Sequence, residues 1–182
     1  MRDGRIALKE GTTLCFADHK TVKIGKEVGR GASGIVYDAA YEDGVGVRHN
    51  VRIKECYPGY LNLYRGEDGS VIAKGGDEGR FEEAKQKFLS AYRRTAQIKN
   101  TLGLTNSTIN AADISRLNQT IYIEMAMDEG VDYRVYEDVS LKELLGHVKS
   151  LAELINKYHQ NGFLHLDIKP ENVFIIPETE EH

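Results

Sequence analysis

The chain of 182 residues is poor in cysteine, proline and tryptophan, with two, three and none. Two cysteines, Cys15 and Cys56, are too few for a disulfide scaffold, and no CxxC pair or Cys/His cluster points to structural zinc. A reducing, cytoplasmic setting is therefore the expectation. The N-terminus turns polar after Met1-Arg2-Asp3 and has no apolar signal core. Nowhere do eighteen apolar residues run together, so no membrane segment is expected. An excess of basic charge is also lacking. Lys plus Arg is 24 against 28 for Asp plus Glu, a formal charge of −4, which disfavours a nucleic-acid partner. With 41% hydrophobic and 29% charged residues, the composition is that of an ordinary globular chain and excludes global disorder.

Most of the 18 glycines lie at or before Gly79, and that part alternates apolar with polar positions. Strands are expected at Thr21–Gly25, Gly34–Tyr41 and His49–Glu55, with turns between them, as an antiparallel meander. Arg65–Ser70 reads as a hydrophilic hairpin or loop. From about Asp77 to Lys99 the period becomes helical, with Phe81, Ala84, Phe88, Ala91, Tyr92 and Thr95 on one stripe. Strands around Ile109–Leu117 and Ile121–Met127 would complete a five-stranded sheet. The C-terminal part is helical. Ser140-x-x-Glu143 and Ser150-x-x-Glu153 both have capping-box spacing, and Asn161-Gly162 is a helix stop. The fold class is α+β.

Three elements carry chemistry. Gly29-Arg30-Gly31-Ala32-Ser33-Gly34 is a GxGxxG, which alone also makes ordinary turns. The stretch after it, with Val36, is β-branched, so it suits a glycine loop between two strands that can close over phosphates. Val51-Arg52-Ile53-Lys54 puts a lysine on the third strand, either a solvated residue or one reaching nucleotide phosphates. His165-Leu166-Asp167-Ile168-Lys169-Pro170-Glu171-Asn172 follows the helix stop and precedes an apolar strand, Val173–Ile176. In that spacing Asp167 can accept a hydroxyl proton and Lys169 can neutralise a transferring phosphoryl. The amide oxygen of Asn172 can hold magnesium. The alternative is a charged surface loop.

With these elements in this order, the chain resembles a eukaryotic-like Ser/Thr protein kinase domain from about Val22 to its last residue. Ile53–Pro58 and His165–Asn172 look particularly like bacterial members. The resemblance implies a kinase small lobe over residues 1–127, a five-stranded sheet plus a long helix. It implies a hinge and partial large lobe, with the catalytic loop, over residues 128–182. It implies transfer of the ATP γ-phosphoryl to protein hydroxyls with Mg2+. Gly29, Gly31, Ser33, Gly34 and Val36 would hold the cofactor with Lys54. Glu124 to Ala126 would be the hinge, with Ile123 the gatekeeper. Asp167 and Lys169 would be catalytic, and Asn172 a metal ligand.

The chain departs from the family pattern at four places. The glutamate expected to pair with the strand lysine is replaced by Ala91 on the apolar stripe, with Glu82 and Glu83 two turns back. Arg52 stands where a small or apolar residue is usual and shares a strand face with Lys54, so it must pair with an acid, Glu124 being one candidate, snorkel out or occlude the pocket. Leu166 replaces the arginine before the catalytic aspartate. The chain ends before an Asp-Phe-Gly-like motif would come, so it is expected to be an incomplete and inactive part of a longer kinase. The alternatives are a pseudokinase acting as a binding or scaffolding module, and a small-molecule kinase of the same fold. The helix with Leu151, Leu154, Ile155 and Tyr158, joined by Leu144, Leu145 and Val148, is expected to dimerise, swap between chains or repack.

Overall fold

The computed structural model describes residues 3–16, 20–103, 113–126, 131–133 and 139–175. It divides into two compact units, Met1–Arg94 with Thr108–Met127, and Thr95–Ser107 with Asp128–His182.

The first unit is built on β1 (Thr13–Cys15), β2 (Thr21–Gly31), β3 (Gly34–Glu42), β4 (Arg48–Cys56), β7 (Ile114–Leu117) and β8 (Thr120–Ala126). These form one antiparallel sheet in the order β1-β2-β3-β4-β8-β7. The sheet thus has six strands, not five. The extra strand, β1, is a three-residue edge, too short to show an alternation in sequence. A separate hairpin of β5 (Leu63–Arg65) and β6 (Val71–Ala73) occupies the expected hydrophilic loop. The expected strand residues 109–112 and Met127 lie outside the described residues.

Register assigns the side chains to two faces. Ile35, Glu55 and Tyr122 stand opposite one another across β3, β4 and β8, as do Tyr37, Ile53 and Glu124. All but Glu124 of these are fully buried or nearly so. The N-terminal segment covers this face, Leu8 donating its backbone N–H to the Tyr37 hydroxyl at 3.1 Å. On the other face Val36, Lys54 and Ile123 line up, followed by Asp38, Arg52 and Met125. Helix α1 (Glu78–Thr101) packs on that face near Lys54, burying Phe81, Ala84, Phe88 and Leu89. Ala91 and Thr95, expected on the buried stripe, are exposed, and Leu89 is buried instead. Over 24 residues the contact stripe drifts around the helix, because 3.6 residues per turn does not match a strict three-four repeat.

A buried polar cluster ties the first unit together. The Glu55 carboxylate, with no solvent exposure, accepts from the Tyr37 hydroxyl at 2.8 Å, the Tyr122 hydroxyl at 2.9 Å and the Arg65 guanidinium at 2.7 Å. Arg65 also donates to the carbonyls of Ile6 and Gly69, both at 2.8 Å. One carboxylate thereby joins the sheet, the β5–β6 hairpin and the N-terminal segment. Burial pushes the Tyr122 and Tyr37 hydroxyls well above the ordinary tyrosine range, so both remain donors to Glu55.

The second unit contains α2 (Leu141–Gln160), a 3-10 turn at Pro170–Asn172, and a short antiparallel pair of β9 (Val131–Asp132) and β10 (Phe174–Ile175). Ser140 caps α2 through a full capping box with Glu143. Ser150 lies inside this single helix, so the second capping-box spacing marks no start. Nothing between the two serines breaks the helical period, and one good cap suffices. Asn161 and Gly162, at φ +76°, end the helix. Among the described residues α2 buries none, and Leu141, Leu144, Leu145, Val148 and Leu154 are exposed. No helix is long and apolar enough to cross a membrane among the described residues.

Candidate functional site

The glycine motif forms the hairpin of β2 and β3, with Ala32 and Ser33 at its tip and Gly31 paired to Gly34. Two register shifts, between Ile24 and Glu27 and between Glu27 and Gly29, bulge β2 on its way to the tip. Such bulges add twist and bend the strand. The three motif glycines differ. A Cβ on Gly34 would collide with the carbonyl oxygen of Glu55, whereas Gly29 and Gly31 would place one in open space. Gly34 is needed for close packing of β3 on β4. Gly29 and Gly31 leave room above the hairpin. Accordingly Gly34→Ala is expected to destabilise the chain by about 1–3 kcal/mol in urea unfolding, as overpacked sites do, while Gly31→Ala shifts it by under about 1 kcal/mol.

The tip is held from below. The carbonyls of Ser33 and Ala32 accept from the backbone N–H groups of Tyr57, at 3.2 Å, and Gly59, at 3.0 Å. Arg30, within the motif, forks onto Glu27 and donates to the Arg5 carbonyl at 2.7 Å. Arg5 in turn donates to the carbonyls of Gly34 and Tyr57. The sequence offered no signal for this N-terminal strap, because Asp3 and Arg5 precede every recognisable element.

Lys54 lies on β4 between Val36 of β3 and Ile123 of β8. Half-buried, it makes no ion pair among the described residues, and desolvation lowers its pKa. Its ammonium stands over the Phe88 ring of α1, 5.6 Å from the centroid. Glu82 pairs with Lys85 along α1, not with Lys54. Arg52, two residues back on the same face, pairs with Asp38 at 2.7 Å. Glu124, the partner expected from sequence, pairs instead with Lys20 at 2.7 Å. The reason is register: Glu124 stands opposite Ile53 and so points to the other face of the sheet. Backbone pairing of β8 with β4 continues through Ala126, opposite Val51.

In the second unit, Asp167, Lys169 and Asn172 converge. The Asn172 side-chain amide donates to the Asp167 backbone carbonyl at 2.8 Å and to its carboxylate Oδ2 at 2.9 Å. Lys169 Nζ lies 3.2 Å from the same Oδ2. Hydrogen bonds from Lys169 and then Asn172 hold the Asp167 pKa below the usual carboxylate value, so it is ionised at neutral pH. Among the described residues Oδ1 takes no hydrogen bond and is the open acceptor of the carboxylate. Leu166, just before it, adopts a left-handed backbone at φ +62° and is exposed, a conformation unusual for a branched side chain. Pro170 starts the 3-10 turn that carries Asn172 back over Asp167. Among the described residues no group of three or more His, Cys, Asp or Glu side chains could hold a metal ion.

No family model matches the chain. Over 101 residues it is 31% identical to the serine/threonine-protein kinase PrkC of Bacillus subtilis (strain 168), a match covering 53% of this chain and 15% of PrkC. Among solved structures, vaccinia related kinase 3 aligns over 95% of this chain and 49% of its own, with 18% identity and a TM-score of 0.48. The chain is similar to a segment of a eukaryotic-like Ser/Thr protein kinase, as its motifs imply.

Proposed function

We propose that the protein binds ATP with Mg2+ on the glycine hairpin and Lys54, and that the whole protein transfers the γ-phosphoryl to a protein hydroxyl. The observation that carries this reading is the Asp167–Lys169–Asn172 cluster, in which one carboxylate is kept ionised and half-free by two neighbours. The residues suit the cofactor. Gly29 and Gly31 leave space above the hairpin, and among the described residues no acid pairs with Lys54. The Asn172 amide nitrogen is committed to Asp167, which leaves its side-chain oxygen as the atom that would hold the metal. With no acidic cluster among the described residues to hold it, the metal would be bound chiefly through nucleotide phosphates, as is usual for Mg2+. Bound Mg2+ would offset charge on the phosphate oxygens. Asp167 Oδ1 would accept the proton of the incoming hydroxyl, and the Lys169 charge would offset that of the transferring phosphoryl.

A second reading, a pseudokinase, is favoured by Arg52, paired with Asp38 on the face of Lys54, and by the lack of a carboxylate beside Lys54 among the described residues. The two readings separate on the metal. In calorimetric titrations of the chain with ATP, Mg2+ is expected to strengthen binding about tenfold, and Asn172→Ala to remove that increment without changing metal-free binding. Equal affinities with and without Mg2+ in the wild type would favour the pseudokinase.

A further inference from the structure

Among the described residues, the surroundings of Lys54 supply almost no compensating charge. Its neighbours across the sheet, Val36 and Ile123, are apolar. Cys56, on the same strand face, has its thiol pushed up to about 12 by burial and so stays neutral. On α1, Glu82 and Lys85 satisfy each other, and position 91 is an exposed alanine. Glu55 points to the opposite face, where it is engaged with Arg65 and two tyrosines. What α1 presents to the ammonium is the Phe88 ring, buried and 5.6 Å away.

We propose that Phe88 is a positioning residue for Lys54, its ring doing the work of the missing carboxylate. A ring quadrupole attracts an ammonium, more strongly where water is excluded. Unlike a carboxylate, it does not cancel the charge. Lys54 is therefore steadied against α1 while its whole positive charge remains available to an anion. The functional consequence rests on reading Lys54 as the nucleotide-phosphate contact. The positioning itself does not.

The ring favours the charged form of lysine, so removing it lowers the Lys54 pKa, adding to the desolvation already present. By NMR titration of the Lys54 side chain, Phe88→Leu is expected to lower its pKa by about 0.5–1 unit. Phe88→Tyr, which keeps the ring, should stay near the wild-type value. Phe88→Met serves in place of leucine should the latter unfold the sheet, with the same expected fall. ATP affinity should drop about three- to tenfold in Phe88→Leu and recover in Phe88→Tyr. An unchanged or raised Lys54 pKa in both ring-less variants would overturn the proposal, whatever the chain binds. A lowered pKa in a chain that does not bind ATP would sustain the positioning role and remove the nucleotide reading alone.

Discussion

Replacing Arg65 with methionine is expected to cost about 3–5 kcal/mol of folding stability, the range for breaking a buried ion pair by removing one partner. Arg65 is almost fully buried and its partner Glu55 wholly so. The substitution leaves the Glu55 carboxylate inside the protein with only two tyrosine hydroxyls and no cation. It also frees the carbonyls of Ile6 and Gly69. Methionine fills much of the volume, so the loss reads the charge and hydrogen bonds rather than a void. The double variant Arg65→Met/Glu55→Gln should recover part of the loss, because the buried charge is then gone. Urea denaturation of the four proteins in the cycle measures both terms. A loss under about 1 kcal/mol in the single variant would mean that the cluster does not hold the β5–β6 hairpin to the sheet.

The other large effect is functional. Lys54→Met should weaken ATP binding by about 10–100-fold, the equivalent of a charge-assisted hydrogen bond of roughly 1.5–3 kcal/mol. Folding stability should hold or rise, because the substitution removes a desolvated ammonium that has no acid partner. This opposite response of binding and stability separates a ligand-directed lysine from a structural one. Equal ATP affinities in the two proteins would place the phosphates elsewhere.

Much of this arrangement was legible in the sequence, and what escaped has identifiable causes. The β2–β3 and β3–β4 hairpins were marked by glycine turns, and α1 and α2 by helical spacing. A hairpin turning at Val45 puts Asp38 seven residues before it and Arg52 seven after, so the Arg52–Asp38 pair was available from turn position alone. Choosing Glu124 instead neglected the two-residue alternation of β8, which sends Glu124 to Lys20. The edge strand β1 and the Asp3–Arg5–Arg30 contacts were hidden because short segments held by long-range bonds carry no periodicity. The role of Ala91 was misjudged for a related reason. The buried stripe drifts around α1 through Leu89 and Ala96, so a stripe drawn at three-four spacing through Ala91 falls beside it. Phe88, inside that stripe, read only as core, although its ring is what meets Lys54. The Asp167–Asn172 spacing survived into geometry because a proline-started turn fixes it locally.

The central claim is that this chain binds a nucleotide on the sheet face that carries Lys54, under the β2–β3 hairpin. Backbone amide NMR during titration with ATP and Mg2+ tests it most directly. Saturable shifts are predicted at Gly29 to Gly34, at Val36 and Lys54, and along Glu124 to Ala126, with all of them moved to about 10–100-fold higher ATP in Lys54→Met. Shifts confined to other residues, or none at millimolar ATP, would contradict it.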